Sequence, residues 1–277
     1  MKWYLLVCVA VVAVTVEASP VEGPKWSGYH ESVGIPMAAR LKKLEHEAMS
    51  GRIVGGTPVS LGTHPFMVGI VIHLFSPGTS MCGASLLTNT RSLTAAHCWY
   101  DGWLQVHYFT MVFGSRTLHT GGVRIDTTDV EMHPNWNLDN LNNDIAIVRH
   151  AFVSYNNNIS PIRLPTGQQT NNFSQYISDS FPTFNPDQRE ARLQVISNEQ
   201  CAGMYGDSIV IHSTLCTLAP RGINVCLGDS GGPLATGAGS NRMLIGVTSF
   251  VAPECEAGDP SGFARVTSFL PWIMSRL

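Results

Sequence analysis

The stretch Gly228-Asp229-Ser230-Gly231-Gly232-Pro233-Leu234 sets a serine among glycines. A serine hydroxyl is a weak nucleophile unless a neighbouring base takes its proton. Attack on a carbonyl also needs hydrogen-bond donors where negative charge develops on oxygen. Glycines on both sides let backbone N–H groups converge on one point, which an ordinary Gly-rich turn has no reason to do. The same residues fit the Gly-x-Ser-x-Gly elbow of α/β-hydrolases, but that arrangement puts the histidine after the serine. No histidine follows Ser230, so the base must come earlier.

Thr94-Ala95-Ala96-His97-Cys98 supplies it. Among the ten histidines, only His97 is flanked by small residues and a cysteine that could hold the ring still. His107, His119, His133 and His150 fall at no ligand spacing and read as surface or loop residues. Asn143-Asp144-Ile145-Ala146-Ile147-Val148 puts a carboxylate at the head of an apolar strand. A buried carboxylate needs partners, and an imidazole that becomes charged during catalysis is a good one.

The elements that must position these groups read as short strands. Runs of apolar and β-branched residues recur at 66–74, 84–87, 109–113, 145–148, 193–196 and 243–250, separated by Gly, Pro, Asn and Asp. That spacing predicts an all-β domain of short antiparallel strands. Val266–Leu277 is expected to be a closing helix, with Pro271 tolerable only in its first turn.

Ahead of this domain, Lys2 and the apolar run Trp3–Val16, followed by Val16-Glu17-Ala18, read as a secretory signal over residues 1–18. The run is shorter than the roughly 20 residues of a spanning helix. Residues 19–52 read as an activation propeptide ending in Ser50-Gly51-Arg52, before Ile53-Val54-Gly55-Gly56. Within it, Arg40–Glu47 suits a helical turn or two with no core of its own. Residues 53–277 form the remaining domain. Once Cys8 leaves with the signal, Cys82, Cys98, Cys201, Cys216, Cys226 and Cys255 remain. An even set in a secreted chain implies disulfides, and six cysteines allow 15 pairings. No clustered Cys/His pattern points to a metal. The slight negative net charge of −3 excludes nucleic acid and anionic membranes as obvious partners. All four lysines precede Arg52, whereas 11 of the 13 arginines follow it. Because arginine stays charged where lysine does not, such a domain suits alkaline fluid.

The four motifs, in this order, resemble those of a chymotrypsin-type serine protease. With Ser261–Ile273 and the six cysteines, the likeness is greatest to insect midgut chymotrypsins of the lepidopteran type. The resemblance covers residues 53–277. It implies two antiparallel six-stranded β-barrels with a C-terminal helix and a catalytic triad of His97, Asp144 and Ser230. It implies an oxyanion hole from the N–H groups of Gly228 and Ser230, and Ser249 bonded near the aspartate. It implies the bonds Cys82–Cys98, Cys201–Cys216 and Cys226–Cys255. Cleavage after Arg52 by a trypsin-like enzyme would free the Ile53 amine to pair with Asp229. Asn224 stands at the floor of the primary pocket, with Val251 and Ser261 on its walls. An uncharged floor argues against cleavage after Lys or Arg. It leaves Phe/Tyr/Leu as the expected preference, with elastase-like Ala/Val/Leu as the alternative. The expected setting is a secreted, monomeric digestive enzyme without cofactor or metal. Its partners would be dietary proteins, a trypsin-like activator and protein protease inhibitors. One departure stands out: 168–202 has no Gly and no Trp, where the family has a Gly-aromatic-Gly turn beneath the oxyanion hole. A catalytically impaired homologue acting as a binding protein is therefore the other expectation.

Overall fold

The computed structural model describes residues 28–49, 60–166, 176–180, 189–218, 220–222 and 224–277. Side chains at 48, 49, 176–180, 189, 240 and 256 are outside that description. Residues 1–18, read above as a signal, and Arg52 and Ile53 lie outside the described residues.

Seven strands make the first sheet: β1 (Met67–Leu74), β2 (Thr79–Thr88), β3 (Arg91–Thr94), β4 (Val106–Phe113), β5 (Val123–Thr127), β6 (Val130–Met132) and β7 (Ala146–Arg149). Their order is β5-β4-β1-β2-β3-β7-β6. β5 and β6 sit at opposite edges, yet only Thr128 and Asp129 separate them in the chain. The sheet must therefore curl until its edges meet. The expected six strands become seven because one bent strand breaks at Thr128–Asp129 and pairs with a different neighbour on each side. The barrel is filled by Phe109, Phe113, Ile70, Ile72, Leu86 and Leu93, all fully or almost fully buried.

The second half is a closed barrel of β8 (Tyr176–Ser180), β9 (Arg189–Ile196), β10 (Thr214–Leu218), β11 (Pro233–Thr236), β12 (Met243–Phe250) and β13 (Ser261–Arg265). The shortened 168–202 region still supplies two strands: Tyr176 pairs with Leu193 and Ser180 with Arg189, and β8 pairs with β11. The connecting residues 181–188 lie outside the described residues. Disulfides join Cys82 to Cys98, Cys201 to Cys216 and Cys226 to Cys255.

Three α-helices complete the described residues. α2 (Asn198–Tyr205) is capped by Ser197, whose hydroxyl accepts from Gln200 N–H at 3.1 Å. α3 (Val266–Met274) is the closing helix, but Pro271 lies past its first turn. Pro271 faces solvent there, so the carbonyl one turn back can be hydrated instead of bonded.

The largest difference from the sequence reading concerns α1 (Ile35–Met49) and the π-helical turn His30–Gly34 before it. This is a full 15-residue helix. Gly34, Ala38, Leu41 and Glu45 are buried, a spacing that keeps one stripe facing inward. Ala38 and Leu41 pack with Met67, Val71, Met81, Val112 and Leu118 of the first sheet and its loops. The helix thus has a core, shared with the domain. A Cβ on Gly34 would lie 1.8 Å from Ser80 Oγ, so only glycine lets the helix backbone rest on β2. His119 is also no simple loop residue, since its Nε2 lies 3.1 Å from the Ala38 carbonyl. His150 is buried against the Ser92 hydroxyl at 3.0 Å.

Two histidines in this interface titrate with docking. Burial lowers His30 to about 4, with Asp101 opposing and His97 reinforcing. Burial lowers His119 to about 4 as well, opposed by the Ala38 carbonyl and reinforced by Lys42 and Arg124. A depressed value means their contribution is present above the ordinary value of about 6.5 and is lost as pH falls through about 4. Glu45 acts the other way. Burial raises its carboxyl, against the N–H groups of Leu118 and His119, the Thr120 hydroxyl and Arg124, so its contribution is lost as pH rises through the raised value. Two histidines against one carboxyl leave a net loss of docking in acid. Hydrogen-exchange protection of residues 30–45, corrected for intrinsic rates, should fall between pH 7 and pH 4. Undiminished protection at pH 4 would contradict this.

Candidate active site

His97 sits on the single turn Ala96–Cys98 that follows β3. The Cys82–Cys98 bond ties that turn to β2, and the Thr94 hydroxyl donates to the Gly83 carbonyl at 2.7 Å. Asp144 stands just before β7 and is 1% exposed. Its Oδ1 accepts the His97 backbone N–H at 2.9 Å, and its Oδ2 lies 2.7 Å from His97 Nδ1. The Ser249 hydroxyl, on β12, donates to the same Oδ2 at 2.6 Å. A carboxylate only accepts, so Nδ1 carries the proton and Nε2 is left with a lone pair. That is the tautomer a general base needs. The chain reaches Asp144 through two non-glycine residues with positive φ, Leu141 at 57° and Asn143 at 60°. Such conformations cost energy and persist where the surroundings impose them. Asn143 is held by its own amide, which donates to the Asn135 carbonyl at 2.8 Å.

Ser230 lies 9% exposed in the loop before β11. Its carbonyl accepts the Gly83 N–H at 2.7 Å, a direct bond from the first half to the Ser230 loop. Gly231 has φ +77°, and a Cβ there would lie 2.2 Å from Thr94 Oγ1 and 2.5 Å from the Gly83 carbonyl. Gly228 is also left-handed, at φ +97°. The N–H groups of Asp229, Gly231 and Gly232 donate to the Cys226, Thr248 and Asp229 carbonyls. This spends the neighbours of Gly228 and Ser230 and fixes the loop. Asp229 is 5% exposed and accepts the Cys226 N–H at 2.7 Å.

Asn224 has its amide occupied: Nδ2 donates to the Asp259 carbonyl at 2.9 Å, and Oδ1 accepts from the Ser261 hydroxyl at 2.9 Å. Ser261 is fully buried, whereas Val251 lines the cleft with Leu227, Ser230 and Ser249. The sulfurs near His97 are consumed by the Cys82–Cys98 bond, so no thiolate is available there to hold a metal.

Sequence reasoning missed Tyr29. Its ring packs edge-on against His97, with centroids 4.7 Å apart, and its hydroxyl donates to the Met81 carbonyl at 2.6 Å. His97 Nε2 is buried and has no hydrogen-bond partner among the described residues. Only the stripe at 34, 38, 41 and 45 could have signalled that this segment docks.

A buried Asp–His pair that lines one cleft with a serine on a glycine loop is a set that serves acyl transfer on several unrelated folds. The comparison with known proteins decides which one this is. The family model described as Trypsin matches residues 53–273. The chain belongs to the trypsin family of serine endopeptidases. It is 36% identical to the collagenase of Hypoderma lineatum over 82% of this chain and 88% of that protein. It is 33% identical to brachyurin of Leptuca pugilator over 81% of this chain and 98% of that protein. A solved HL collagenase structure aligns at a TM-score of 0.72 and 34% identity, covering 81% of this chain and 98% of that one. The trypsin-family fold accounts for both curled halves and for α3, whereas the docked segment 28–49 precedes the matched residues.

Removing the Ser249 hydroxyl takes one of three donors from a buried carboxylate. A hydrogen bond to a charged group is worth about 1.5–3 kcal/mol. Ser249→Ala should therefore lower kcat/KM by about tenfold or more, with a smaller change in KM. Wild-type kinetics in this variant would show that the bond does not hold the pair in place.

Proposed function

We propose that the chain is a secreted zymogen that hydrolyses peptide bonds through an acyl-enzyme on Ser230. The observation that carries this is the Asp144 carboxylate holding His97 by two bonds, with Ser249 on the third. Ser230 Oγ attacks the scissile carbonyl and passes its proton to His97 Nε2. The N–H groups of Gly228 and Ser230 stabilise the resulting oxyanion. Nε2 then gives the proton to the leaving amine, and water repeats the sequence to release the acid. Each oxyanion donor is worth about 10² to 10³ in rate. The mechanism is the one general to chymotrypsin-type serine proteases.

Activation is cleavage after Arg52, with the new Ile53 amine pairing with Asp229. A free α-amine titrates near 7.7–8.0, and pairing raises it. Activity then falls as pH climbs through the raised value, so an alkaline setting demands a strong pair. The absence of lysine after Arg52 supports that setting, and with it digestion of dietary protein in a gut lumen. Asn224 offers no charge at the pocket floor and its amide is already occupied, which disfavours Lys and Arg as specificity residues. Phe/Tyr/Leu is the preference proposed, and Val251, which narrows the cleft wall, keeps an elastase-like Ala/Val/Leu preference as the alternative. The collagenase relative makes collagen a sensible member of a substrate panel.

The second reading is an impaired homologue that binds proteins without cutting them. The missing Gly-aromatic-Gly turn favours it. A fluorophosphonate probe separates the two. Ser230 should label after trypsin treatment of the secreted chain, and Ser230→Ala should not. Clean cleavage at Arg52 with no labelling, even after the N-terminal fragment is removed, would put the binding-protein reading first.

A further inference from the structure

We infer that residues 28–49 are a built-in reversible inhibitor that seals the catalytic cleft and stays bound, without a covalent link, after the chain is cut at Arg52. The inference rests on the protease and zymogen readings above.

The segment is held at both ends. At its start, the His30 N–H donates to Asp101 Oδ2 at 2.8 Å, while Asp101 Oδ1 accepts from Trp103 and Leu104. A buried carboxylate at the first turn of a helix suits the partial positive charge there. At its end, Glu45 reaches into the domain and accepts the Leu118 N–H at 2.7 Å and the His119 N–H at 3.0 Å. Between them, Gly34 lies on Ser80, and the Ser80 hydroxyl is 3.0 Å from His30 Nδ1. Ser80 and Met81 lead directly into Cys82, which is bonded to the cysteine beside His97.

What this places over the catalytic groups is Tyr29. Its ring meets His97, and its hydroxyl takes the Met81 carbonyl. Burial pushes its phenol strongly up, against a hydrogen bond with Ser230. Gly28, Tyr29, Ser32 and Val33 line the cleft together with His97 and Ser230. A substrate carbonyl cannot reach Ser230 while the ring is there, and Nε2 is sealed from water. The segment is not itself presented as substrate, because from His30 onward it is helical and its backbone is not extended along a sheet edge.

Cutting at Arg52 removes the covalent link and none of these contacts. Leaving would expose Met67, Val71, Met81, Val112 and Leu118, which Ala38 and Leu41 now cover. Apolar patches of that kind retain their partners. The cleaved chain is therefore a two-piece complex, and full activity needs cleavage followed by loss of the fragment.

The test uses the secreted chain cut at Arg52, with the intact fragment verified by mass. On gel filtration at micromolar concentration the fragment should co-elute with the domain. Hydrolysis of a small peptide anilide, per mole of enzyme, should rise by about tenfold or more on dilution to nanomolar, as the fragment dissociates. Returning the purified fragment should inhibit competitively. Tyr29→Ala should weaken that inhibition by about tenfold or more. Gly34→Val, which would drive a side chain into Ser80, should abolish co-elution while leaving the domain folded by circular dichroism. Separation of the fragment with full activity at the first, concentrated measurement would overturn the inference. Co-elution with no labelling at any dilution would uphold docking and overturn the protease reading instead. Co-elution with full, dilution-independent activity would show that the docked helix does not close the cleft.

Discussion

One buried carboxylate holds this molecule's two halves in working relation. Asp144 takes two bonds from His97 in the first sheet and one from Ser249 in the second barrel. A charge that far from water is tolerable only when its oxygens are satisfied, so each donor has to be delivered with little freedom. The surrounding structure serves that delivery. The Cys82–Cys98 bond fixes the His97 turn, the left-handed Asn143 aims the carboxylate, and β12 carries Ser249. The Gly83–Ser230 bond then sets the Ser230 loop against the same turn. A shift of either half by an ångström would leave a buried charge short of a partner.

Chemistry was more legible in the sequence than geometry. His97, Asp144 and Ser230 stand in short motifs because each needs immediate neighbours of particular size, so the pattern is local. The strands at 67–74 and 243–250, and 109–113 within β4, show as apolar runs because they are buried on both faces or nearly so. β5 and β6 do not, since Val123–Thr127 and Val130–Met132 are short, interrupted by charged residues and not fully buried on either face. Nothing local says that they close a barrel by standing at opposite edges of one sheet. β13 was hidden for another reason: Gly262 sits in it to make room for the Phe250 ring, and Arg265 is buried by bonding the Thr214 carbonyl. The bond from Ser249 to Asp144 spans 105 positions and was reachable only through a family likeness.

The N-terminal helix illustrates a different difficulty. Its inward stripe contains a glycine and a glutamate, so by residue type it reads as half polar. Both are there for contact: Gly34 for the closeness of two backbones, and Glu45 for two N–H groups that would otherwise lack a partner. Tyr29 carries no pattern at all, being one aromatic residue whose importance comes from where the helix lands. While residues 28–49 remain joined to the domain, they compete for the cleft at the high effective concentration of a tethered group.

Every lysine of the chain lies before Arg52. A chain beginning at Ile53 would own a single primary amine, the one at its start. Reducing sugars, aldehydes and acylating compounds, which attack amines wherever they find them, would have one place to react. Under the activation proposed above, that place is the group that pairs with Asp229. Amine chemistry in its surroundings would thus leave the finished molecule untouched or switch it off, with nothing in between.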